Sequence, residues 1–223
     1  MQVGCGAAIA GRDWRRVIAL GTLAVGVALA GDSARASIIG YTSSGGSHDP
    51  NDGFTMGVRF DTNQGIVIDS LGVLDVDENG LDVAYDVGLW NASGEPLASA
   101  TVLAGTGSTL QDGYRFESIA PVSLAAGGTF IVAAYYDDRP GTDPLRDKLF
   151  GSTPTAAPAV ALDSVTMFAS GDALGFPDLV SPDFRSTAGF TFTFVPEPTT
   201  ALLLMAGLAG LTVGARRSGW SRA

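Results

Sequence analysis

Apolar side chains recur at every second position through much of the middle of the chain. The clearest case is Phe190, Phe192 and Phe194, which alternate with Thr191 and Thr193. A period of two sends successive side chains to opposite faces of a strand. Short apolar stretches closed by turn residues predict strands at 37–43, 54–60, 65–74, 81–90, 97–103, 113–119, 128–136, 160–168 and 187–195. No 12-residue window of this region keeps a helical period. Nine short strands with Gly-rich turns predict an all-β fold, an antiparallel β-sandwich or jelly-roll-like arrangement. Polar loops around Gly105, Gly107 and Ser108, at 137–147 and at 170–183 are long enough to expect a functional or mobile role.

The two ends follow a different pattern. Residues 17–30 are an uncharged apolar run of 14, preceded by Arg12, Arg15 and Arg16. The run is too short to span a bilayer, which takes roughly 20 residues as a helix. A basic start, a short apolar helix and small residues before a cut describe a secretory signal peptide. Ala34 and Ala36 occupy the small positions, so residues 1–36 are expected to be removed by cleavage between Ala36 and Ser37. At the other end, Pro196-Glu197-Pro198 precedes an apolar run from Ala201 to Ala215. With Thr199 and Thr200 it predicts a transmembrane helix at 199–215, at the short end of spanning length. Arg216 and Arg217 would hold its end on the cytoplasmic side. The expected order is therefore a signal helix at 1–36, a sandwich domain at 37–195 and a terminal segment at 196–223.

Charge narrows the partners. The chain has 223 residues, 13 Lys and Arg against 23 Asp and Glu, and a net charge of -10. Within 37–195 the balance is six cations against 20 acids, a net charge of -14. Such a domain does not bind nucleic acid by charge, since phosphate contacts need clustered Lys and Arg. It suits cations, including calcium, or neutral glycans; the alternative is that the charge serves solubility alone. One Cys and one His exclude a disulfide framework, a Cys-based zinc site and multi-histidine metal sites.

The tail, Val195-Pro196-Glu197-Pro198 with the apolar run and Arg216-Arg217, resembles the PEP-CTERM sorting signal of bacterial exported proteins. The resemblance implies an exosortase of the inner membrane as processing partner, cutting near Pro-Glu-Pro. It also implies a Gram-negative bacterium that makes exopolysaccharide and biofilm matrix. The expected role is then structural or adhesive, at the cell surface or in the extracellular matrix, with exopolysaccharide as a partner. The middle of the chain resembles an uncharacterised β-sandwich domain of bacterial surface proteins. The residues carrying this are Leu71-Gly72-Val73, Gly80-Leu81, Val87-Gly88-Leu89-Trp90, Gly94, Leu97-Ala98 and Leu124-Ala125-Ala126-Gly127. These are strand cores and turn glycines, so they imply fold and supply no catalytic residue.

Candidate chemistry is sparse. Asp75, Asp77, Asn79 and Gly80 match the start of a calcium loop, and Asp86 falls at its position 12. Oxygen ligands at alternating positions around a tight turn are what calcium needs. Asp82 at position 8 and strand flanks rule out an EF-hand. The competing reading is a metal-free acidic hairpin turn between strands 65–74 and 81–90, cornered at Asn79-Gly80. His48 with Asp49 and Asp52 lies in a Gly/Ser-rich stretch without rigid neighbours. No nucleophile elbow or triad context is present, so no catalytic residue and no enzyme is expected. Trp90 is expected to fill the core, and at most one of Tyr135 and Tyr136 can do so, because they face opposite ways. A carbohydrate-binding module and, behind it, a secreted hydrolase remain as alternatives. An exposed aromatic cluster on one sheet face would favour the first; a concave pocket with paired carboxylates would be needed for the second.

Overall fold

The structure is a computed structural model that describes residues 36–48, 53–137 and 148–195. The leader before Ala36 and the tail from Pro196 lie outside the described residues, and with them the predicted signal and transmembrane helices. The chain divides at Arg35–Ala36 into two units, and every described residue belongs to the second.

In chain order the strands are β1 (Ile38–Ile39), β2 (Tyr41–Ser44), β3 (Ser47–His48), β4 (Phe54–Thr62), β5 (Ile66–Leu74), β6 (Tyr85–Asn91), β7 (Pro96–Val102) and β8 (Thr109–Gln111). They continue with β9 (Tyr114–Leu124), β10 (Thr129–Tyr136), β11 (Leu149–Phe150), β12 (Thr153–Ala156), β13 (Val160–Ser170), β14 (Leu179–Ser181), β15 (Arg185–Ser186) and β16 (Ala188–Phe194). No helix occurs among the described residues. A five-stranded sheet runs β1-β16-β5-β9-β8 and a six-stranded sheet runs β14-β13-β4-β10-β6-β7. Every pairing is antiparallel. Two small sheets, β15-β11-β3 and β12-β2, complete the domain. The all-β antiparallel sandwich expected from the sequence is what forms.

Period-two patterning builds the core. Met56, Val58 and Phe60 of β4 alternate with residues of the other face, as do Val132 and Ala134 of β10 and Val87 and Leu89 of β6. Opposite them stand Ile66, Ile68, Leu71 and Val73 of β5 and Phe190 and Phe192 of β16. The sheets meet where Phe60 stacks on Phe190, ring centroids 4.4 Å apart. Burying a side chain of this size contributes about 1.5–3 kcal/mol.

Three features differ from expectation. The segment after β5 is not a hairpin turn. β5 lies in the five-stranded sheet and β6 in the six-stranded one, so residues 75–84 carry the chain across the sandwich. The strand expected from residue 81 begins at Tyr85, and Leu81 makes only an isolated bridge to Gly105. The strand expected at 37–43 divides at Gly40, where a Cβ would meet the Phe190 ring at 2.4 Å. The chain then leaves the large sheet, and Tyr41 turns to donate its hydroxyl to the Ala188 carbonyl. Burial pushes the Tyr41 phenol well above its ordinary value of 10.0, and neighbouring Tyr114 adds to the shift.

Candidate functional site

The outer face of the six-stranded sheet is built from the positions between the core residues. Cross-strand register sets Arg59 of β4 beside Ile131 of β10, and Ile131 beside Trp90 of β6. One step along, Met167, Gly57, Ala133 and Gly88 form a second row. Ile131, Ala133, Met167 and Trp90 are buried, yet they stand outside the main core cluster. What covers them includes the segment after β13. Phe176 packs edge-on against Trp90, ring centroids 6.3 Å apart. Thr55 ties the same segment down, accepting from Gly175 N at 3.0 Å. Trp90 lies flat over Gly88, where a Cβ would meet its ring at 2.3 Å. Of the stretch 170–183, expected to be functional or mobile, the part between β13 and β14 is thus a strap over this face, and Trp90 is buried as expected but in a second, smaller apolar layer.

Beside the strap lies a groove of about 510 Å³. Phe176 and Val180 give it apolar surface above the buried Ile131 and Met167, and Arg59, Asp61, Asp163 and Asp178 give it charge. The ladder between β13 and β4 slips between Leu162 and Thr166, and Asp163 falls within that irregularity. There its carboxylate accepts from Arg59 Nε. Asp61 accepts from the Thr129 hydroxyl at 2.6 Å. Three carboxylates against one guanidinium make the groove electronegative, and its volume is in the range of small-ligand clefts. Trp90 is only 6% exposed, so its ring is not an open aromatic platform.

The calcium candidates do not converge. Asp75 is wholly buried, and its Oδ2 accepts from Arg115 Nε at 2.6 Å and from Gly80 N at 3.1 Å. Arg115 also donates to the carbonyls of Glu78, Thr106 and Ser108. An oxygen cage is present, but a guanidinium fills it. Asp77 bonds Asn79 at 2.7 Å, and Asp86 sits on β6 bonded to Thr101 at 2.6 Å. Among the described residues no group of three or more His, Cys, Asp or Glu side chains is placed to hold a metal ion. The sequence reading missed Arg115 because its partner lies 40 positions away.

Other candidates fall as follows. His48 lies on β3 opposite Leu149, while Asp49 and Asp52 lie outside the described residues. Tyr136 is core at 2% exposure and Tyr135 faces away. Ala36 is exposed and Ser37 half-buried, and Ala34 lies outside the described residues. So do Pro196, Glu197, Pro198, Arg216 and Arg217.

A model of a domain of unknown function, DUF4082, matches residues 42–183, well over half of the 223. The chain belongs to the DUF4082 family. The DUF4082 match begins in β2 and ends after β14, so β1 and β16 lie beyond it. A PEP-CTERM protein-sorting motif matches residues 194–218. This DUF4082 protein is therefore exported, held transiently in the membrane and processed there by an exosortase. No curated protein matches the chain.

Proposed function

We propose that the DUF4082 domain is a non-catalytic structural or adhesive component of the cell surface or extracellular matrix, and that its groove holds the polysaccharide of that matrix. The groove carries this reading. A sugar ring offers C–H faces and hydroxyl groups together, and Phe176 and Val180 stand beside Asp61, Asp163, Asp178 and Arg59 in one cleft. Carboxylates and a guanidinium hydrogen-bond to hydroxyls from both sides, as acceptors and donors. Net negative charge favours neutral or amine-bearing glycans over uronic acids. The ion pair of Asp163 with Arg59 and the bond of Asp61 to Thr129 suit fixed recognition.

Affinity electrophoresis of the exported protein through gels containing neutral, amine-bearing or uronic-acid polysaccharide tests the reading. Retardation by one of the first two, lost in Asp163→Asn with Phe176→Ala, is the expected result. Equal mobility in all gels would sink the glycan role.

A further inference from the structure

Both ends of the folded domain converge on one side chain. Asp69 Oδ2 accepts from Ser37 Oγ at 2.5 Å, and Asp69 Oδ1 accepts from Thr191 Oγ1 at 2.5 Å. Asp69 stands where both ladders of β5 slip. Pairing with β16 steps from Ser70 to Ile68, and so does pairing with β9. Such irregularities re-aim a side chain out of the regular alternation. Ser37 leads into β1, an edge strand held to β16 by two paired residues. The compact unit starts at Ala36, which is exposed, one residue before the Asp69 contact.

We propose that Asp69 is the receptor for the chain's own mature amino terminus. Hydrolysis of the Ala36–Ser37 amide consumes one water and leaves the Ala36 carboxylate on the leader. It leaves a primary amine on Ser37, which takes up a proton at neutral pH. The Ser37 nitrogen is three bonds from Oγ, which places the new ammonium within roughly 5 Å of Asp69 Oδ2. In the precursor the same nitrogen is an uncharged amide. Cleavage therefore adds the attraction of an ammonium for the carboxylate to the existing hydroxyl contact, and β1 is held more firmly to β5 and β16 once the leader has gone.

The surroundings leave the pair few rivals. Apart from Asp69, β1, β5 and β16 contain no titratable side chain. β9 contributes Tyr114, Arg115 and Glu117. Of these, Arg115 is held by Asp75 and Glu117 accepts from Ser108. An amine beside a carboxylate has its folded pKa raised, so its stabilisation is complete below the unfolded value and is lost as pH rises through the folded one.

The exported chain itself provides the test. N-terminal sequencing is expected to read Ser-Ile-Ile-Gly. An inserted glycine after Ala36 moves the amine one residue out and is expected to lower the thermal midpoint by about 2–4 °C. In an Asp69→Asn background the same insertion is expected to change nothing, because the receptor is already gone. If Asp69→Asn does not fold, the amine of the unaltered exported chain is titrated instead. It is expected above its ordinary range, roughly 7.7–8.0. A different first residue, additive losses, or an amine that titrates in the ordinary range would each overturn the proposal.

Discussion

Arg115 Nε donates to Asp75 Oδ2 at 2.6 Å, with the two side chains 4% and 0% exposed. Such a pair is costly to bury and more costly to break, because the survivor is left as an unpaired charge. Arg115→Met and Asp75→Leu, made singly, are each expected to destabilise the domain by about 3–5 kcal/mol. Arg115→Lys restores little, since an ammonium cannot reach Asp75 and three carbonyls as a planar fork does. Urea unfolding of the exported protein measures all three.

The same guanidinium sits where a calcium ion would be asked to sit. The thermal midpoint is therefore expected to be equal in millimolar calcium and in chelator. A rise with calcium, which must follow RT ln(1 + [L]/Kd) for native-state binding, would show that the native protein binds the ion despite the guanidinium on Asp75.

Gly88 and Trp90 report on the strap. Gly88→Ala places a methyl where the indole lies, so the ring must move and Phe176 with it. Trp90 is the one tryptophan between the expected leader cut and Pro196. Its fluorescence is expected to shift to the red, while far-ultraviolet circular dichroism stays that of a β-protein. Unchanged emission would mean that the strap absorbs the methyl.

Tyr41 gives the fold an alkaline limit. Burial raises its phenol above 10.0, so the folded state favours the neutral form more than the unfolded chain does. That stability is complete below pH 10 and is lost as pH rises toward the folded value. Stability of the native protein is expected to fall above about pH 10. Tyr41→Phe should show a flatter decline there, but from a lower starting point, because the bond to the Ala188 carbonyl is lost.

A strand forms at each of the nine expected places, although 37–43 divides into β1 and β2 and 81–90 is strand only from Tyr85, because Phe190, Phe192, Val87 and Leu89 announce a core face wherever they fall in the chain. The six further strands, of two to four residues each, had no period long enough to read. Sheet membership was equally hidden. Asn79-Gly80 is a good hairpin corner by local chemistry, but Arg115, distant in sequence, pulls the 75–80 loop into a crossover. The groove was illegible for the same reason. Arg59, Asp163 and Phe176 are brought together by the pairing of β4 with β13 and by the strap, not by spacing. The sorting motif was legible in full because it is a local pattern recognised as sequence.

A folded DUF4082 domain is exported and held transiently in the membrane by its tail. Intact mass spectrometry of the protein from a host with an active exosortase tests this most directly, with cell-surface, matrix and membrane fractions measured separately. A species beginning at Ser37 and ending near Pro196-Glu197-Pro198 is expected at the surface or in the matrix. Alanines at Pro196, Glu197 and Pro198 are expected to leave the protein whole and in the membrane. An unprocessed chain in every fraction, unchanged by those alanines, would mean that the tail is not an exosortase substrate.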